Sequence, residues 1–225
     1  MRKLALVKGV ALVLSLVLLL ASCSLLSPMQ TTPETTESPV AVGSLAALKA
    51  LFETAKPSTV TYTVVYTDPS VGIPLNAELS LSYDGTLGTL AYRYDRLNPI
   101  GSDEFISQVS DSVTGDLATL SAALSGAASW VWDDATGISL PDIRLEDAYL
   151  ASAEITPSGS DLYLLTATPT EGNAGALVGL SFEGASDLVL QVSFWEHAVT
   201  HIELHYALGD ADYSVTASFT YSHLK

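Results

Sequence analysis

The sequence predicts an α+β protein dominated by β-strands, and three observations carry this prediction. An apolar stripe with the spacing of a helix follows the capping residue Ser44 and ends before Pro57. Its members are Leu45, Leu48, Leu51 and Phe52. Past Pro57 apolar residues recur at every second position, which is the period of a half-buried strand. Short turn sequences separate these runs, so neighbouring strands are expected to pair in antiparallel fashion.

The first half of the body is expected to contain three strands and then a helical interruption. The strands cover 59–67, 75–83 and 87–94, with the tight-turn sequence Asp84-Gly85 between the last two. Over 102–128 the alternation is lost, and we expect one or two short helices there. The apolar residues with helical spacing in that stretch are Phe105, Ile106, Val109, Leu117, Leu120 and Leu124.

The second half is expected to return to strands. Two hairpins and a final strand are predicted, and a glycine-rich crossing at 170–178 has room for one helical turn. The predicted strands are 145–155, 162–168, 188–195, 199–208 and 213–221. Trp130 and Trp132 precede this region, and the interpretation we favour for both is a place in the core, with the lip of a cavity as the alternative.

The N-terminus has the features of an export signal. Arg2, Lys3 and Lys8 give it positive charge, and the uncharged apolar run 9–20 is too short for a comfortable membrane span. Leu20-Ala21-Ser22-Cys23 follows, with the only cysteine of the chain, and this pattern resembles the lipobox of bacterial lipoproteins. The alternative is an ordinary signal peptide followed by an unpaired thiol in an oxidising compartment.

The lipobox resemblance implies cleavage before Cys23 and acylation of its sulfur, which would hold the protein on a membrane. Three segments are therefore expected: a signal peptide at 1–22, an acylated cysteine with a Ser/Thr/Pro-rich tether at 23–42, and one globular domain at 43–225. Because Ser24 follows the cysteine, sorting rules for such proteins favour the outer membrane where the source has two membranes. Otherwise the outer face of the cell membrane is expected.

Composition excludes several functional classes. With 48% hydrophobic and 15% charged residues the chain can bury a core, and its formal charge is −16. Loss of the three N-terminal basic residues leaves six basic against 25 acidic residues, a charge of −19. Such a surface repels phosphate backbones, so no nucleic-acid partner is expected. One cysteine excludes an internal disulfide and any multi-cysteine metal site.

The order of elements resembles that of the bacterial lipoprotein-carrier proteins and the mycobacterial glycolipid-binding lipoproteins. The resemblance covers 44–221 and includes the final strand pair 189–195 and 200–206. It implies a strongly curved antiparallel sheet, a half-open barrel, whose hollow face is covered by helices over a cavity for acyl chains. The strong acidity and the long helical segment in mid-chain depart from that pattern.

Seven aromatic residues on the apolar face are the candidate ligand-binding residues. They are Tyr62, Tyr66, Tyr83, Tyr92, Phe194, Tyr206 and Phe219. Helices with intermittent apolar stripes could cover this face loosely and leave space for a ligand. The alternative is that the same aromatic rings pack a dry core.

A metal site is the third possibility considered. His201, Glu203 and His205 alternate along one predicted strand and would point to one face, where they could surround a divalent cation. The apolar residues between them favour a plain solvent face instead. Gly179-Leu180-Ser181-Phe182-Glu183 has glutamate where a nucleophile elbow needs its second glycine. We therefore expect neither catalysis nor a cofactor.

The sequence thus predicts a membrane-anchored envelope lipoprotein that binds a lipid or acyl chain without chemistry. The alternative is an interaction or scaffold lipoprotein of the cell surface with a filled core and a protein partner, whose identity the sequence does not give. A metal-dependent hydrolase ranks last.

Overall fold

The computed structural model describes residues 41–68, 72–124, 128, 130–179 and 184–222. Within these residues three helices and eleven strands follow one another along the chain. The helices are α1 (Leu45–Thr54), α2 (Leu117–Leu124) and α3 (Ala174–Val178). The strands before α2 are β1 (Thr59–Asp68), β2 (Ile73–Tyr83), β3 (Gly88–Leu97) and β4 (Ile106–Gly115). Those after α2 are β5 (Trp132–Asp133), β6 (Gly137–Ile138), β7 (Leu150–Pro157), β8 (Tyr163–Pro169), β9 (Ala185–Trp195), β10 (Ala198–Leu208) and β11 (Ala211–Thr220).

Nine strands form one antiparallel sheet in the order β4-β3-β2-β1-β11-β10-β9-β8-β7. The only neighbours that are distant in sequence are β1 and β11, which pair from Thr59 with Thr220 to Tyr66 with Tyr213. The first and last strands of the body therefore lie side by side in the middle. β4 and β7 form the two edges, so the sheet is not closed into a barrel. The predicted β-dominant class is confirmed.

Alternation along the strands gives the sheet an apolar and a polar face. We call the apolar side the inner face. One row of register partners crosses it on six strands and consists of Leu79, Tyr62, Ala217, Ile202, Val192 and Leu165. The opposite side, the outer face, carries mostly hydroxyl side chains on its central strands, as in the row Ser80, Thr61 and Ser218.

The chain must cross the whole sheet between its two edges, because β4 lies at one edge and β7 at the other. We call the described residues of 116–149 the cover. Trp130, Val131, Trp132, Ile143 and Leu145 of the cover are all buried in the same core cluster as the inner face. The core thus lies between the inner face and the cover. Trp130 and Trp132 belong to the core, as predicted.

The helical prediction for 102–128 is wrong over its first half, because 106–115 forms β4. As an edge strand, β4 exposes much of both faces, so polar residues such as Gln108 and Asp111 interrupt the expected alternation. The predicted strand at 145–155 begins five residues later, at Leu150. Residues 145–149 belong to the cover and bury Leu145 without strand pairing.

The structure describes nothing before residue 41, so Cys23, the predicted signal peptide and the predicted tether lie outside the described residues. In the described part of the chain, no helix is long and apolar enough to cross a membrane.

Candidate functional site

The inner face positions all seven aromatic residues that the sequence singled out. Alternation in β1 puts Tyr62 and Tyr66 on the same side as the buried Val60 and Val64. Register pairs then place the others on that side. They do not form one pocket, however. They fall into three groups, each occupied by a different set of neighbours.

The first group is a stack of tyrosines on three neighbouring strands. Tyr213 lies between Tyr66, whose ring centroid is 5.6 Å away at an interplanar angle of 16°, and Tyr206, 5.0 Å away at 3°. Burial raises the pKa of the Tyr206 phenol above its ordinary value, and the neighbouring Tyr62 and Tyr213 raise it further. The faces of these rings therefore contact one another, with Tyr213 in a position that the sequence had not marked as part of a site.

The second group contacts the cover. The ring of Tyr62 is tilted against Trp130 at 5.8 Å, and Tyr83 meets Trp132 edge-on at 5.7 Å. Such aromatic pairs add about 0.5–1.5 kcal/mol each beyond the area that they bury. Burial raises the pKa of the Tyr62 phenol. The two tryptophans thus pack against Tyr62 and Tyr83, two of the residues for which the sequence predicted contact with a ligand.

Both indole N–H groups also have acceptors. Trp130 Nε1 donates to the carbonyl oxygen of Val178 at the end of α3, at 3.2 Å. Trp132 Nε1 donates to Ser121 Oγ of α2, also at 3.2 Å. The first bond joins the cover to α3, and the second joins two parts of the cover, because α2 lies within it. Sequence reasoning missed both acceptors, because a carbonyl group carries no side-chain signal and no local pattern links the Ser121 hydroxyl to Trp132.

The third group lies at the ends and edge of the sheet. Phe194 is buried against Tyr163, with 5.6 Å between ring centroids, and Phe219 is buried opposite Val60. Tyr92 lies nearer the β4 edge, in register between Leu79 and Asp111. None of these three shares a ring contact with the tyrosine stack among the described contacts. The candidate residues are thus spread over the core rather than gathered around one ligand site.

Two of the surface depressions that the described residues form lie beside the core. The larger, about 520 Å³, is open to solvent, and polar as well as apolar groups line it: Tyr83, Thr86, Asp116, Leu117, Ala118, Ser121 and Asp134. The smaller, about 140 Å³, lies between the start of α1 and the end of β9, beside Phe194. Ligand pockets usually enclose about 300–1,000 Å³. The smaller depression falls short of that size, and the larger one is open and partly acidic.

The carboxylates around the open depression serve local turns. Asp116 accepts from the backbone N and from Oγ1 of Thr119, at 2.9 and 2.6 Å, and so caps α2. Asp133, next to the lining residue Asp134, accepts from Thr136 Oγ1 at 2.6 Å and from Ala135 N at 2.9 Å. The threonine hydroxyls hold the pKa of both carboxyls below the ordinary value. An Asp followed three residues later by Thr, at a helix start, is the sequence signal for such a cap.

The histidine strand points to the outer face. His201 Nδ1 lies 2.9 Å from Ser218 Oγ, and His205 Nε2 lies 2.9 Å from Glu203 Oε1. The third side chain, Glu203, is therefore already bonded to His205. No three His, Cys, Asp or Glu residues in the described part of the chain are arranged to hold a metal ion.

No protein-family model and no curated protein matches this chain. Among solved structures, a domain named as an outer membrane lipoprotein-sorting protein from Vibrio parahaemolyticus is similar at 10% identity and a TM-score of 0.20. The match covers 79% of this chain and 90% of that one. The dehydratase domain from the terminal module of the rifamycin polyketide synthase is similar at 12% identity and a TM-score of 0.15, over 70% and 74% of the two chains. Neither similarity identifies a fold or a function for this chain.

Proposed function

We propose that the chain is a lipid-anchored protein of the cell envelope that binds a partner with its outside surface and catalyses no reaction. The observation that supports this proposal is the occupied interior. Trp130 and Trp132 of the cover pack directly on the inner face, with exposed fractions of 6% and 4%, and both indole N–H groups are hydrogen-bonded. We therefore favour binding of a partner at the protein surface over binding of an acyl chain in the interior.

The free energies of burying an acyl chain and of exposing the cover residues also favour a surface-binding function. An acyl chain of about sixteen carbons would gain roughly 13 kcal/mol by burial, at about 0.8 kcal/mol per methylene. Admitting it would expose cover residues such as Trp130, Val131, Trp132, Ile143 and Leu145, which are now buried. At roughly 1.5–3 kcal/mol each, their exposure costs about as much as the ligand gains. The exchange is close to neutral, so burial of an acyl chain gives little net driving force for opening the cover.

The outer face of the sheet is the surface proposed to make the contact. Along β1 and β11 its residues are short hydroxyl side chains with no charged group between Thr59 and Thr63 or between Ser214 and Thr220. In a chain with a net charge of −16 such an uncharged strip repels an acidic partner less than a surface of carboxylates does, although Glu78 lies beside Thr63 and Glu203 beside Thr216. The described helices pack on the other side of the sheet, so this face is open to a partner.

A photocross-linking residue at Thr216, on the outer face, tests the proposal in cells that produce the full chain. The matched position is Glu171, an exposed residue in the turn that follows β8. We expect a discrete adduct from position 216 and none from position 171. Equal labelling at the two positions, or no adduct at 216, contradicts the proposal.

Hydrophobic-ligand binding is the second candidate, because the cover is a separate layer that meets the sheet mainly through side chains. If the cover lifts, the inner face offers an apolar surface that runs across the strands. Native mass spectrometry of the chain extracted gently from its own membrane separates the two candidates. The first predicts the mass of the acylated chain alone, whereas a bound lipid that a fluorescent fatty acid displaces supports the second.

A further inference from the structure

The β3–β4 hairpin concentrates exposed apolar side chains at its two ends. Of the four large hydrophobic residues exposed in the described part of the chain, three lie on this hairpin. Ile100 and Phe105, exposed by 102% and 50%, occupy the loop between β3 and β4, and Leu87, exposed by 56%, precedes β3. Ile100 and Phe105 are thus exposed together in one loop, and grouped apolar side chains mark contact surfaces more often than isolated ones do.

The loop holds these side chains in place. Ser102 N donates to the carbonyl oxygen of Pro99 at 3.1 Å, and Gly101 has a φ of +97°, as the third residue of a type II turn requires. Asn98 N donates to the carbonyl oxygen of Phe105 at 2.9 Å. This bond extends the β3–β4 pairing by one residue beyond the pair Leu97 and Ile106. Ile100 is thus presented to solvent by a bonded turn.

β4 itself is an edge strand without the features that usually prevent edge pairing. It is in continuous register with β3 from Ile106 to Gly115, contains no proline or lysine, and has one charge, Asp111. The other edge, β7, has a register shift after Leu150 and ends in Pro157. A bulge and a proline both block the addition of a strand. Of the two edges, β4 is the one that can accept another strand.

We propose that β4 pairs with β4 of a second copy of this chain, antiparallel and about a two-fold axis at Ser110. This register pairs all of 105–115 with itself and forms roughly ten inter-strand hydrogen bonds. Phe105 of each copy then lies opposite Gly115 of the other. Gly115 pairs with Gly88 within each copy, and Leu87 precedes Gly88. Phe105 of one copy therefore lies near the end of the β3–β4 hairpin at which the other copy carries Leu87.

Charge selects this register over its neighbour. An axis at Asp111 would set two carboxylates directly opposite each other, which is unfavourable. With the axis at Ser110, Asp111 faces Val109 of the other copy, and Ser110 faces its own counterpart. The negative charge of the chain opposes association at long range, so higher salt is expected to strengthen the dimer.

Cysteine cross-linking in cells that produce the full chain tests the register. Ser110→Cys places two thiols opposite each other on the axis, whereas Ser112→Cys places each thiol opposite Gln108 of the other copy, out of reach. Thr156→Cys, exposed on the β7 edge, is the second control. After oxidation with copper-phenanthroline we expect a disulfide dimer from Ser110→Cys at least about tenfold more abundant than from either control.

A Ser110→Cys protein that remains monomeric, or a dimer of equal yield from Thr156→Cys, overturns the proposal. A dimer from Ser112→Cys and not from Ser110→Cys overturns the register. The inference goes beyond the proposed function, because it places a second copy at the β4 edge and not on the outer face, and the two can fail separately. If cross-linking at Thr216 succeeds while the Ser110→Cys dimer is absent, only the β4 pairing is lost.

Discussion

The indole Nε1 of Trp130 donates to the carbonyl oxygen of Val178 across 3.2 Å, and so joins the cover to the last residue of α3. Tyr62 packs against the same indole from the inner face. One side chain therefore connects the sheet, the cover and a helix. The indole of Trp130 therefore occupies the position beside the Tyr62 ring on the inner face.

Loss of the Trp130 side chain should destabilise the body strongly. Trp130→Ala removes a buried ring and leaves a cavity, so we expect the free energy of unfolding to fall by about 3–5 kcal/mol. Urea denaturation followed by circular dichroism measures this loss. Trp195→Ala is the control, because Trp195 is only partly buried and meets His197 edge-on at 5.5 Å. A similar loss for both variants would argue against Trp130 as a central contact.

The bond between Trp132 and Ser121 can be measured by itself. Trp132→Phe and Ser121→Ala each remove the 3.2 Å hydrogen bond from one side, at an expected cost of about 0.5–1.5 kcal/mol for the bond. Because both variants break the same bond, the double variant should cost less than the two single losses added together. Strict additivity in a double-mutant cycle would show that the bond does not contribute.

Gly137 should be irreplaceable for a steric reason. A Cβ at this position would lie 2.7 Å from Tyr83 Cδ1, and the residue also has a φ of +96°. Gly85 has nearly the same φ, +98°, with nothing within 4 Å of its Cβ position. Gly85→Ala therefore isolates the backbone strain, about 1–2 kcal/mol. We expect Gly137→Ala to lower the midpoint of thermal unfolding clearly further, and equal shifts would contradict the steric explanation.

Two threonines should control the pKa of two aspartates independently. Thr136 Oγ1 donates to Asp133, and Thr119 Oγ1 donates to Asp116. Thr136→Val is expected to raise the pKa of Asp133 towards its ordinary value and leave Asp116 unchanged, and Thr119→Val should do the reverse. Carboxyl chemical shifts followed by NMR against pH measure both groups. Parallel movement of both pKa values in either variant would show that the effect is not local.

The same pKa shifts set the sign of a pH effect on stability. Both carboxyls have a lower pKa in the folded protein than the ordinary value of 3.8. Their contribution is therefore fully present above about pH 4 and is lost as the pH falls through 3.8 towards the lowered values. Thr136→Val should make the loss of stability below pH 4 shallower than in the unaltered chain, as measured by urea denaturation at several pH values.

The anchor prediction depends on one sulfur atom. Cys23→Ser should abolish incorporation of radiolabelled palmitate, since no acyl chain can then be attached. Ser24→Ala, at the neighbouring position, is expected to retain this incorporation. Palmitate incorporation by Cys23→Ser equal to that of the unaltered chain would contradict lipidation at this residue.

Strand positions were predictable because their side chains alternate between a core and a polar face. β1, β10 and β11 have this pattern, with Val60, Ile202 and Val215 buried, and their predicted limits agree with the structure to within two residues. β4 was missed because an edge strand has little buried surface to impose alternation. The spacing of apolar residues shows which side chains are buried. It predicts a strand or a helix only where one face of that element is buried.

The candidate site was less predictable for a different physical reason. Alternation placed Tyr62 and Phe194 on the apolar face correctly, but it carries no information on what covers that face. The contacts that decide the question, such as Trp130 with Val178, join residues 48 positions apart through a backbone carbonyl. Whether another part of the chain covers an apolar sheet face depends on such long-range packing, and no local sequence pattern encodes this packing.

The pairing of β1 with β11 has a consequence for biogenesis. The middle of the sheet is completed only when Thr220 meets Thr59, so the two halves of the body have no shared ladder until the last strand is available. Contacts this distant in sequence slow folding. The complete nine-stranded sheet can therefore form only after Thr220 has been synthesised, whichever hairpins have already paired.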